Sequence, residues 1–328
     1  MIDAAKFAAL KEIFGDRLQE NVRMSNFATM NVGGPADALL IATSADELAS
    51  MVGKVWELDL PVKVLGSGSN LLVSDKGIRA VVVINHAHNI RVNLKSSPIT
   101  VSAESGALMI NLGKKLALWS LSGMEWAATI PGSVGGAVYG NAGAFGGETC
   151  QSLVSADVLH KTEGRSEWSC ERLAYTYRAS GLKRDMVDAV ILSALFRVEK
   201  GDAAKINSDI ETFRQRRWKN QPPGASVGSV FRNPPEDKAG RLIEAAGLKG
   251  KQKGGAIISP QHANFIINEG GASAQDVLDL LAEAHDTVKS KFGVDLIPEI
   301  EILGDWDALP DFLNSIAPTK AVNHDQKD

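Results

Sequence analysis

The stretch from Ile130 to Gly147 constrains the fold of this chain more than any other part of the sequence. Residues 132–147 hold seven of the 31 glycines, and Val, Tyr and Phe are interleaved with them. A flexible loop is one interpretation, but flexible linkers rarely carry large apolar residues between their glycines. Glycine in an ordered segment lets the backbone approach another group closely. The stretch therefore favours an ordered segment packed against a large planar ligand.

A second glycine segment, Gly-Ser-Gly-Ser-Asn at residues 66–70, directly follows a predicted strand that ends at Leu65. Its backbone N–H groups and hydroxyls suit a phosphate or pyrophosphate, although an ordinary glycine turn fits as well. The segment is neither a P-loop nor a dinucleotide fingerprint, because the apolar run Leu71–Val73 follows where both motifs need a helix.

Composition and charge exclude several classes of protein. The 328 residues are 44% apolar and 23% charged, which is typical of a folded globular chain of about two domains. Lys and Arg number 35 against 39 Asp and Glu, so no overall basic field points to nucleic acid as a partner. No apolar run reaches the roughly 18 residues of a membrane span, and we expect no membrane insertion. The N-terminus predicts an amphipathic helix ending before Gly15, not a signal peptide.

The two cysteines and six histidines give no sign of a metal site. Cys150 and Cys170 lack a CxxC spacing and are too few for a metal cage or a disulfide framework. We therefore predict no metal, and a cytoplasmic protein with reduced thiols.

The apolar pattern predicts an α+β fold. Ser44 and Glu47 predict a capping box that opens a helix through Val52. The β-rich runs predict these strands: Ala38 to Ala42, Val62–Leu65, Leu71–Val73, Ala80 to Ile84, Ile99 to Ala103, Leu153 to Leu159 and Ala189 to Val198.

The pattern changes after about residue 205 to longer amphipathic helices around a few strands. One helix is predicted to end at Gly247, strands at Ala256 to Ser259 and Phe265 to Ile267, and a long helix between Ser273 and Gly293. We predict one domain over residues 1–205, with 295–313 returning to it, and a second over 206–294. The polar residues 314–328 are predicted to form a mobile tail.

Four further segments carry polar side chains with more than one interpretation. Arg178 has no acid nearby in sequence, so it is either a solvated side chain or a carboxylate clamp. Ser229 lies beside Gly228 without a nucleophile-elbow pattern, which favours a turn residue. Glu299 and Glu301 share one face of a strand predicted over Leu296 to Gly304. The cationic run around Trp218 indicates a helix C-terminus or a contact to a nucleotide diphosphate.

Taken together, these segments resemble one known family. The family is UDP-N-acetylenolpyruvoylglucosamine reductase, the flavoenzyme that completes UDP-N-acetylmuramate for peptidoglycan. The resemblance covers about residues 22 to 304 in unbroken order, and the short connection after Arg178 resembles the second, shorter type of the enzyme. It rests on the segments NVGGPAD, GSGSN, IPGSVGGAVYGNAGAFGGE, YRAS, GSVFRNP, AGRLIEAAGLKG, HANFIIN and PEIEILG.

The resemblance implies a two-lobed FAD-binding region of the type shared with p-cresol methylhydroxylase and vanillyl-alcohol oxidase, plus a smaller α+β substrate-binding domain. It also implies NADPH as co-substrate, UDP-N-acetylglucosamine enolpyruvate as substrate and a monomer. Many relatives in this superfamily attach FAD through a His in the phosphate loop, and the loop here has none, so we expect non-covalent FAD. The FAD contacts that it implies are Gly66, Ser67, Gly68, Ser69, Asn70, Pro131, Gly132, Ser133, Gly135, Gly136, Asn141, Ala142 and Gly143.

In the implied reaction a hydride reaches C3 of the enolpyruvyl group and a proton reaches C2. Arg178 matches the active-site arginine of the family, Ser229 its proton donor and Glu299 its catalytic glutamate. The implied substrate contacts are Tyr177, Arg232 and Asn233. The chain departs from the family at Glu301, where members often carry a basic residue, at Phe145 in place of Tyr, and at Arg232 in place of Lys.

Two other functions fit parts of this pattern. One is another FAD oxidoreductase of the same superfamily, and the other is a non-catalytic module that binds flavin or a nucleotide sugar. The joint presence of Arg178, Ser229 and Glu299 favours the reductase over the module. Reduction of the flavin by NADPH separates the two classes, because a module leaves it oxidised.

Overall fold

A computed structural model describes residues 2–314, arranged as two lobes and a C-terminal unit. The prediction for the tail beyond residue 314 lies outside this range. The fold is α+β, as the sequence predicts. Within the described range, no helix is long and apolar enough to cross a membrane.

The first lobe is a four-stranded sheet with helices on it. In the strand order β1-β2-β5-β3, β2 and β3 run parallel to β5. The strand β2 is apolar on both faces, as expected for a parallel strand covered on both sides, since Leu40 packs toward α2 and Leu39 into a separate core on the opposite side. The elements of this lobe are α1 (Ala4–Phe14), β1 (Gln19–Arg23), β2 (Pro35–Ala42), α2 (Ala45–Glu57), β3 (Val62–Leu65), β4 (Leu71–Val73) and β5 (Ile78–Asn85), with short 3₁₀ helices at Gly15–Arg17 and Met24–Asn26.

The second lobe is an antiparallel sheet of order β12-β11-β13-β7-β6, with β8 paired to β13. Its core includes Met109 and Phe196, and α3 and α4 pack on it. Its elements are β6 (Ile90–Asn93), β7 (Ile99–Glu104), α3 (Met109–Leu118), β8 (Leu121–Ser122), α4 (Val134–Gly140), β9 (Gly143–Ala144), β10 (Gly147–Glu148), α5 (Thr149–Ser152), β11 (Leu153–His160), β12 (Gly164–Ser169), α6 (Cys170–Leu173), α7 (Gly181–Arg184) and β13 (Ala189–Lys200), with a 3₁₀ helix at Glu125–Thr129.

The C-terminal unit packs one long helix on an antiparallel sheet. The sheet order is β14-β17-β16-β15, and the core contains Val277, Leu281 and Val288 from the helix α10. Helix α8 belongs by packing to the second lobe, because its Phe213 joins that core. The remaining elements are α8 (Ala203–Asn220), β14 (Ala225–Ser229), α9 (Ala239–Ala245), β15 (Gln252–Lys253), β16 (Ala256–Ile258), β17 (Phe265–Asn268), α10 (Ala274–Phe292), β18 (Glu301–Leu303) and α11 (Asp311–Asn314).

Two local predictions from the sequence need correction. Ser44 caps α2 through the Glu47 N–H at 3.2 Å, but the Glu47 carboxylate bonds to Thr43 and Arg17 instead of closing the capping box. The strand predicted over Leu296 to Gly304 is wrong in extent, because only Glu301–Leu303 pairs as a strand, parallel to β4. Pro298 has no N–H to donate to a ladder, and the residues around it bond instead to segment 230–232.

Candidate active site

The glycine loop 66–70 lies between β3 and β4 and is held in one conformation by the segment before β2. Gly68 has a φ of +64°, and its carbonyl accepts the Thr29 N–H at 3.1 Å. A Cβ at Gly68 would collide with the Phe27 carbonyl, so no larger residue fits there. The loop is therefore a rigid turn and not a flexible connection.

The two glycine segments that the sequence singles out lie against each other. A Cβ built on Gly66 would overlap the Ser133 hydroxyl, and one on Gly132 would lie 3.2 Å from the Ser69 Oγ. Ser133 also caps α4 by accepting the Gly136 N–H at 3.3 Å. The structure thus brings loop 66–70 and residues 131–136 together, as a shared cofactor site requires.

The rest of the glycine-rich stretch contacts other parts of the same chain. The amide of Gly135 donates to the Ser105 carbonyl at 2.7 Å, so this glycine allows a close approach of backbone to backbone. Asn141 is buried, and its side chain bonds to Glu148, Thr176 and the Cys150 N–H. These bonds fix the position of the Asn141 side chain, and its contact with the cofactor stays a prediction.

Ala142 and Gly143 connect this stretch to neighbouring elements through their carbonyls. The Ala142 carbonyl accepts the Thr149 N–H at 2.9 Å, and the Gly143 carbonyl accepts from the Arg178 guanidinium at 2.9 Å. Pro131 and Gly136 are exposed at the start of the stretch. A ligand along the stretch therefore meets its exposed beginning, while its end supports Arg178.

A cavity of about 280 Å³ opens beside the glycine loop. Its lining comes from Asn26–Thr29, the loop residues Gly66 and Ser67, and Ile84 and His86 at the end of β5. The Arg178–Glu299 region does not contribute to this lining. The cavity lies at the glycine loop, where the sequence predicts a phosphate or pyrophosphate and the resemblance implies FAD.

Arg178 lies in a tight turn closed by two hydrogen bonds between Thr176 and Ala179. Its φ of +57° is a left-handed conformation that costs a non-glycine residue of order 1–2 kcal/mol. Its Nε lies 2.9 Å from Glu299 Oε1, although the N–H is not directed at that oxygen. The turn thus directs the guanidinium toward Glu299, and the strain is of the kind found at functional sites.

Glu299 is mostly buried, with 24% of its side chain exposed. Burial raises the pKa of its carboxyl, because the charged form loses its hydration, although the charges of Arg178, Lys183 and Arg232 act in the opposite direction. Its carbonyl accepts from the Asn70 amide at 3.0 Å. The glutamate is therefore held at the glycine loop, with a carboxyl whose pKa is raised by burial.

Ser229 is the last residue of β14, after a register shift in the pairing of that strand with β17. Directly beyond it the chain pairs with the segment that carries Glu299. The Glu299 N–H donates to the Val230 carbonyl at 2.9 Å, and the Arg232 N–H donates to the Ile297 carbonyl at 2.8 Å. The structure therefore places Ser229 one residue from the backbone bond that fixes Glu299.

The three predicted substrate contacts surround this region in different ways. Tyr177 is 50% exposed, with the Arg178 guanidinium 5.2 Å from its ring centre. Arg232 is half-buried, and its Nε finds no acceptor among the described residues, as expected for a group that awaits an anion. Asn233 is exposed, and its Oδ1 accepts the Ala239 N–H at 3.1 Å, which is also the role of a cap for α9.

Sequence reasoning missed Lys183, which is paired with Glu301 and lies close enough to Glu299 to lower its pKa. The signal was present, because Lys183 follows Arg178 in the same short segment and Glu301 already stood out as a departure. Without a fold, nothing in the sequence pairs these two residues.

Two family models match parts of this chain. The family model described as UDP-N-acetylenolpyruvoylglucosamine reductase, C-terminal domain, matches residues 220–303, and one described as FAD binding domain matches residues 36–167.

Three proteins illustrate the similarity over most of the chain. The UDP-N-acetylenolpyruvoylglucosamine reductase of Bacillus subtilis is 41% identical over 297 residues, which is 90% of this chain and 97% of the relative. That of Rubrobacter xylanophilus is 42% identical over 283 residues, 86% of this chain and 94% of the relative. The crystal structure of UDP-N-acetylenolpyruvylglucosamine reductase from Thermus caldophilus has a TM-score of 0.74 and 33% identity, and the match covers 87% of this chain and 99% of that one.

Proposed function

The chain belongs to the UDP-N-acetylenolpyruvoylglucosamine reductase family, and from this premise we propose that Arg178, Ser229 and Glu299 carry out the proton-requiring half of its reaction. The protein is an NADPH-dependent FAD oxidoreductase that reduces the enolpyruvyl C=C bond of UDP-N-acetylglucosamine enolpyruvate to give UDP-N-acetylmuramate, a peptidoglycan precursor.

The FAD is proposed to lie along the glycine loop 66–70 and residues 131–136. The support is the close fit of the two segments, where any side chain on Gly66 would displace Ser133. Bound there, FAD would supply the transfer of a hydride from NADPH to C3 of the enolpyruvyl group. Side chains of the protein then have to stabilise the negative charge on the substrate and supply the proton for C2.

Arg178 is proposed to stabilise the negative charge that spreads into the substrate carboxylate after the hydride arrives. Its guanidinium already bonds to the Gly143 carbonyl at 2.9 Å and lies beside Glu299, so it is fixed before the reaction begins. A preorganised cation in a partly buried site stabilises developing charge more than a mobile one in water.

Ser229 is proposed to give the proton to C2. A serine hydroxyl is a weak acid, so the transfer needs a strongly basic acceptor and a hydroxyl held in place. The position of Ser229 at the end of β14, next to the backbone bond between Val230 and Glu299, supplies the second condition.

Glu299 is proposed to act in its protonated form, as a hydrogen-bond donor to the same carboxylate. Burial raises the pKa of this carboxyl, which keeps the donor form available at higher pH than for an exposed glutamate. Tyr177, Arg232 and Asn233 are proposed to bind the substrate around these three residues, with the unpaired Nε of Arg232 as the main support.

We propose residues 1–205 with 295–313 as the FAD-binding unit and 206–294 as the substrate-binding unit, although helix α8 at the start of the second range packs on the second lobe. We also propose a cytoplasmic monomer, because a nucleotide-sugar substrate and NADPH belong to the cytoplasm, and one copy supplies both glycine segments and the Arg178–Glu299 pair. Light scattering of the purified protein tests the monomer.

The single observation that carries the assignment is the meeting of Arg178 and Glu299 beside the glycine loop. The test is anaerobic: purified protein is mixed first with NADPH and then with UDP-N-acetylglucosamine enolpyruvate, while flavin absorbance is followed. We expect bleaching and then recovery of the yellow colour. A flavin that NADPH leaves oxidised would identify a binding module, and one that the enolpyruvyl substrate does not reoxidise would identify a different oxidoreductase.

The expectation of non-covalent FAD has its own test, which is acid precipitation of the yellow protein. We expect the flavin in the supernatant. His86 lines the cavity beside the loop, so colour that stays with the pellet would contradict the expectation and make His86 the residue to replace.

A further inference from the structure

A second ion pair lies beside the Arg178–Glu299 pair. It joins Lys183 on α7 to Glu301 on β18, and both side chains are partly withdrawn from water, with exposed fractions of 14% and 31%. Exposed ion pairs contribute little to the stability of a protein, but Lys183 is largely buried. The residues around this pair therefore have to explain why it is buried.

The two pairs have the same arrangement. Arg178 and Lys183 come from one short segment of the second lobe, and Glu299 and Glu301 alternate along one segment that returns to the first lobe. Asn70 fixes both carboxylate-bearing residues, since its amide donates to the Glu299 carbonyl at 3.0 Å and its carbonyl accepts the Glu301 N–H at 2.9 Å. Each pair thus crosses from lobe to lobe at the glycine loop.

The charges that face Glu299 come from four places in the fold. Arg178 belongs to the turn 176–179, Lys183 to α7, and Arg232 to the segment after β14. Glu301 is two residues away on the same segment. Burial first, and then the charge of Glu301, raises the pKa of Tyr139 on α4. Three cations therefore act on Glu299.

Lys183 could in principle pair with either glutamate. If it bound Glu299, it would favour the ionised carboxylate and remove the proton donor. Because Glu301 binds Lys183, Lys183 lowers the pKa of Glu299 only through its charge, and Arg178 is the cation paired with Glu299. Without Lys183, in turn, Glu301 would place an uncompensated negative charge where an anionic substrate has to bind.

We propose that Lys183 and Glu301 form a positioning pair, in which Glu301 holds Lys183 away from Glu299 and Lys183 neutralises Glu301 beside the substrate site. This inference rests on the proposed role of Glu299 for its catalytic meaning, but the pair's effect on Glu299 is a physical property that is measured separately.

The first experiment measures the proton on Glu299 without using turnover. The free energy of unfolding of the full-length protein is compared with that of Glu299→Gln over a range of pH, first in the wild-type background and then with Glu301→Gln or Lys183→Met. The difference between the two free energies of unfolding changes with pH around the pKa of Glu299, and we call this change the Glu299-dependent step. We expect it to move to lower pH by about one unit in Glu301→Gln and to higher pH by about one unit in Lys183→Met. The double variant Lys183→Met, Glu301→Gln should return it toward the wild-type position.

Three further variants keep the test decisive. Lys183→Arg retains the charge and should leave the step near its wild-type position, which also covers the case in which Lys183→Met does not fold. The matched controls are Lys11→Met and Glu20→Gln. Lys11 and Glu20 form an exposed ion pair at 2.6 Å, far from Glu299 in the sequence, and neither change should shift the Glu299-dependent step.

The second experiment is the pH profile of turnover in the same variants. If Glu299 acts protonated, the limb on which activity falls with rising pH should move in the same directions, and Lys183→Met should also raise KM. Shifts of unfolding without shifts of turnover would overturn the role of Glu299 and leave the pair's effect standing. A Glu299-dependent step that stays fixed in both single variants, or moves the same way in both, would overturn the positioning pair.

Discussion

The Nε of Arg178 lies 2.9 Å from Oε1 of Glu299, although the two residues come from distant parts of the chain. Arg178 is held by a strained turn of the second lobe, and Glu299 lies on the segment that runs from the C-terminal sheet to β4 of the first lobe. The contact between Arg178 and Glu299 thus joins the second lobe to the segment on which the other two units meet.

Replacing Ser229 should separate the two halves of the reaction. In Ser229→Ala we expect NADPH to reduce the flavin at nearly the normal rate, because that step needs no proton from the chain. Turnover should fall by about 10² or more, which is the scale for losing a positioned acid. Stopped-flow absorbance measures both steps separately.

Ser226→Ala is the matched control for Ser229→Ala, since Ser226 lies on the same strand β14. It should leave both steps near normal. Ser229→Cys should keep part of the turnover, because a thiol still donates a proton. Near-normal turnover of Ser229→Ala would return Ser229 to the role of a turn residue.

A side chain at Gly66 should release the flavin. In Gly66→Ala the new methyl group overlaps the Ser133 hydroxyl, so Ser133 and the start of α4 have to move. We expect a purified protein with little bound FAD, measured as the ratio of absorbance at flavin and protein wavelengths.

The control for Gly66→Ala is Gly53→Ala on α2, where a Cβ meets nothing within 4 Å. This change should keep the flavin and raise the free energy of unfolding by about 0.5–1 kcal/mol, because alanine favours a helix over glycine. Full flavin content in Gly66→Ala would show that the contact between the two glycine segments does not form part of the cofactor site.

Local pattern predicted most of the elements, because their hydrophobic periods and caps act over a few residues. Val62–Leu65 and Leu71–Val73 have the predicted bounds, and Ser273 and Gly293 begin and end α10 as predicted. The strand around Glu299 could not be predicted in the same way. At Ile300 the segment changes partner, from residues 230–232 to β4, and such a change depends on distant residues.

The candidate site shows the same limit. The two glycine segments could be recognised one by one, but their contact at Gly66 and Ser133 is tertiary. Asn141 lies inside a recognisable motif, but only the fold shows that its side chain bonds to the Thr176 carbonyl. Lys183 belongs to no recognisable motif, and only the fold shows that its partner is Glu301.

The stability of the protein should depend on pH through Glu299. Burial raises the pKa of this carboxyl in the folded protein, whereas glutamates of an unfolded chain titrate near about 4.3. The stabilisation that comes from binding this proton is therefore complete below that pH and is lost as pH rises through the folded-state pKa. Glu299→Gln has no such proton to lose.

The measurement is urea unfolding of both proteins from about pH 4 to about pH 9. We expect the free energy of unfolding of the wild type, minus that of Glu299→Gln, to decrease as pH rises. An increase over this range would mean that the cations around Glu299 outweigh its burial, and Glu299 would then be ionised and unable to donate a proton.

Arg178 and Glu299 should act as one unit on the substrate carboxylate. Arg178→Lys keeps the charge but loses the planar fork that bonds to the Gly143 carbonyl, and Glu299→Gln keeps the shape but loses the acid. Because the negative charge on the substrate is largest after the hydride arrives, each change should slow reoxidation of the reduced flavin by substrate more than it weakens substrate binding.

The effects of residues that share one centre are not additive, so the double variant should slow reoxidation less than the two single effects combined. Reoxidation rates of the four proteins complete the cycle. Strict additivity, or a normal rate in either single variant, would show that the 2.9 Å contact does not serve a common centre.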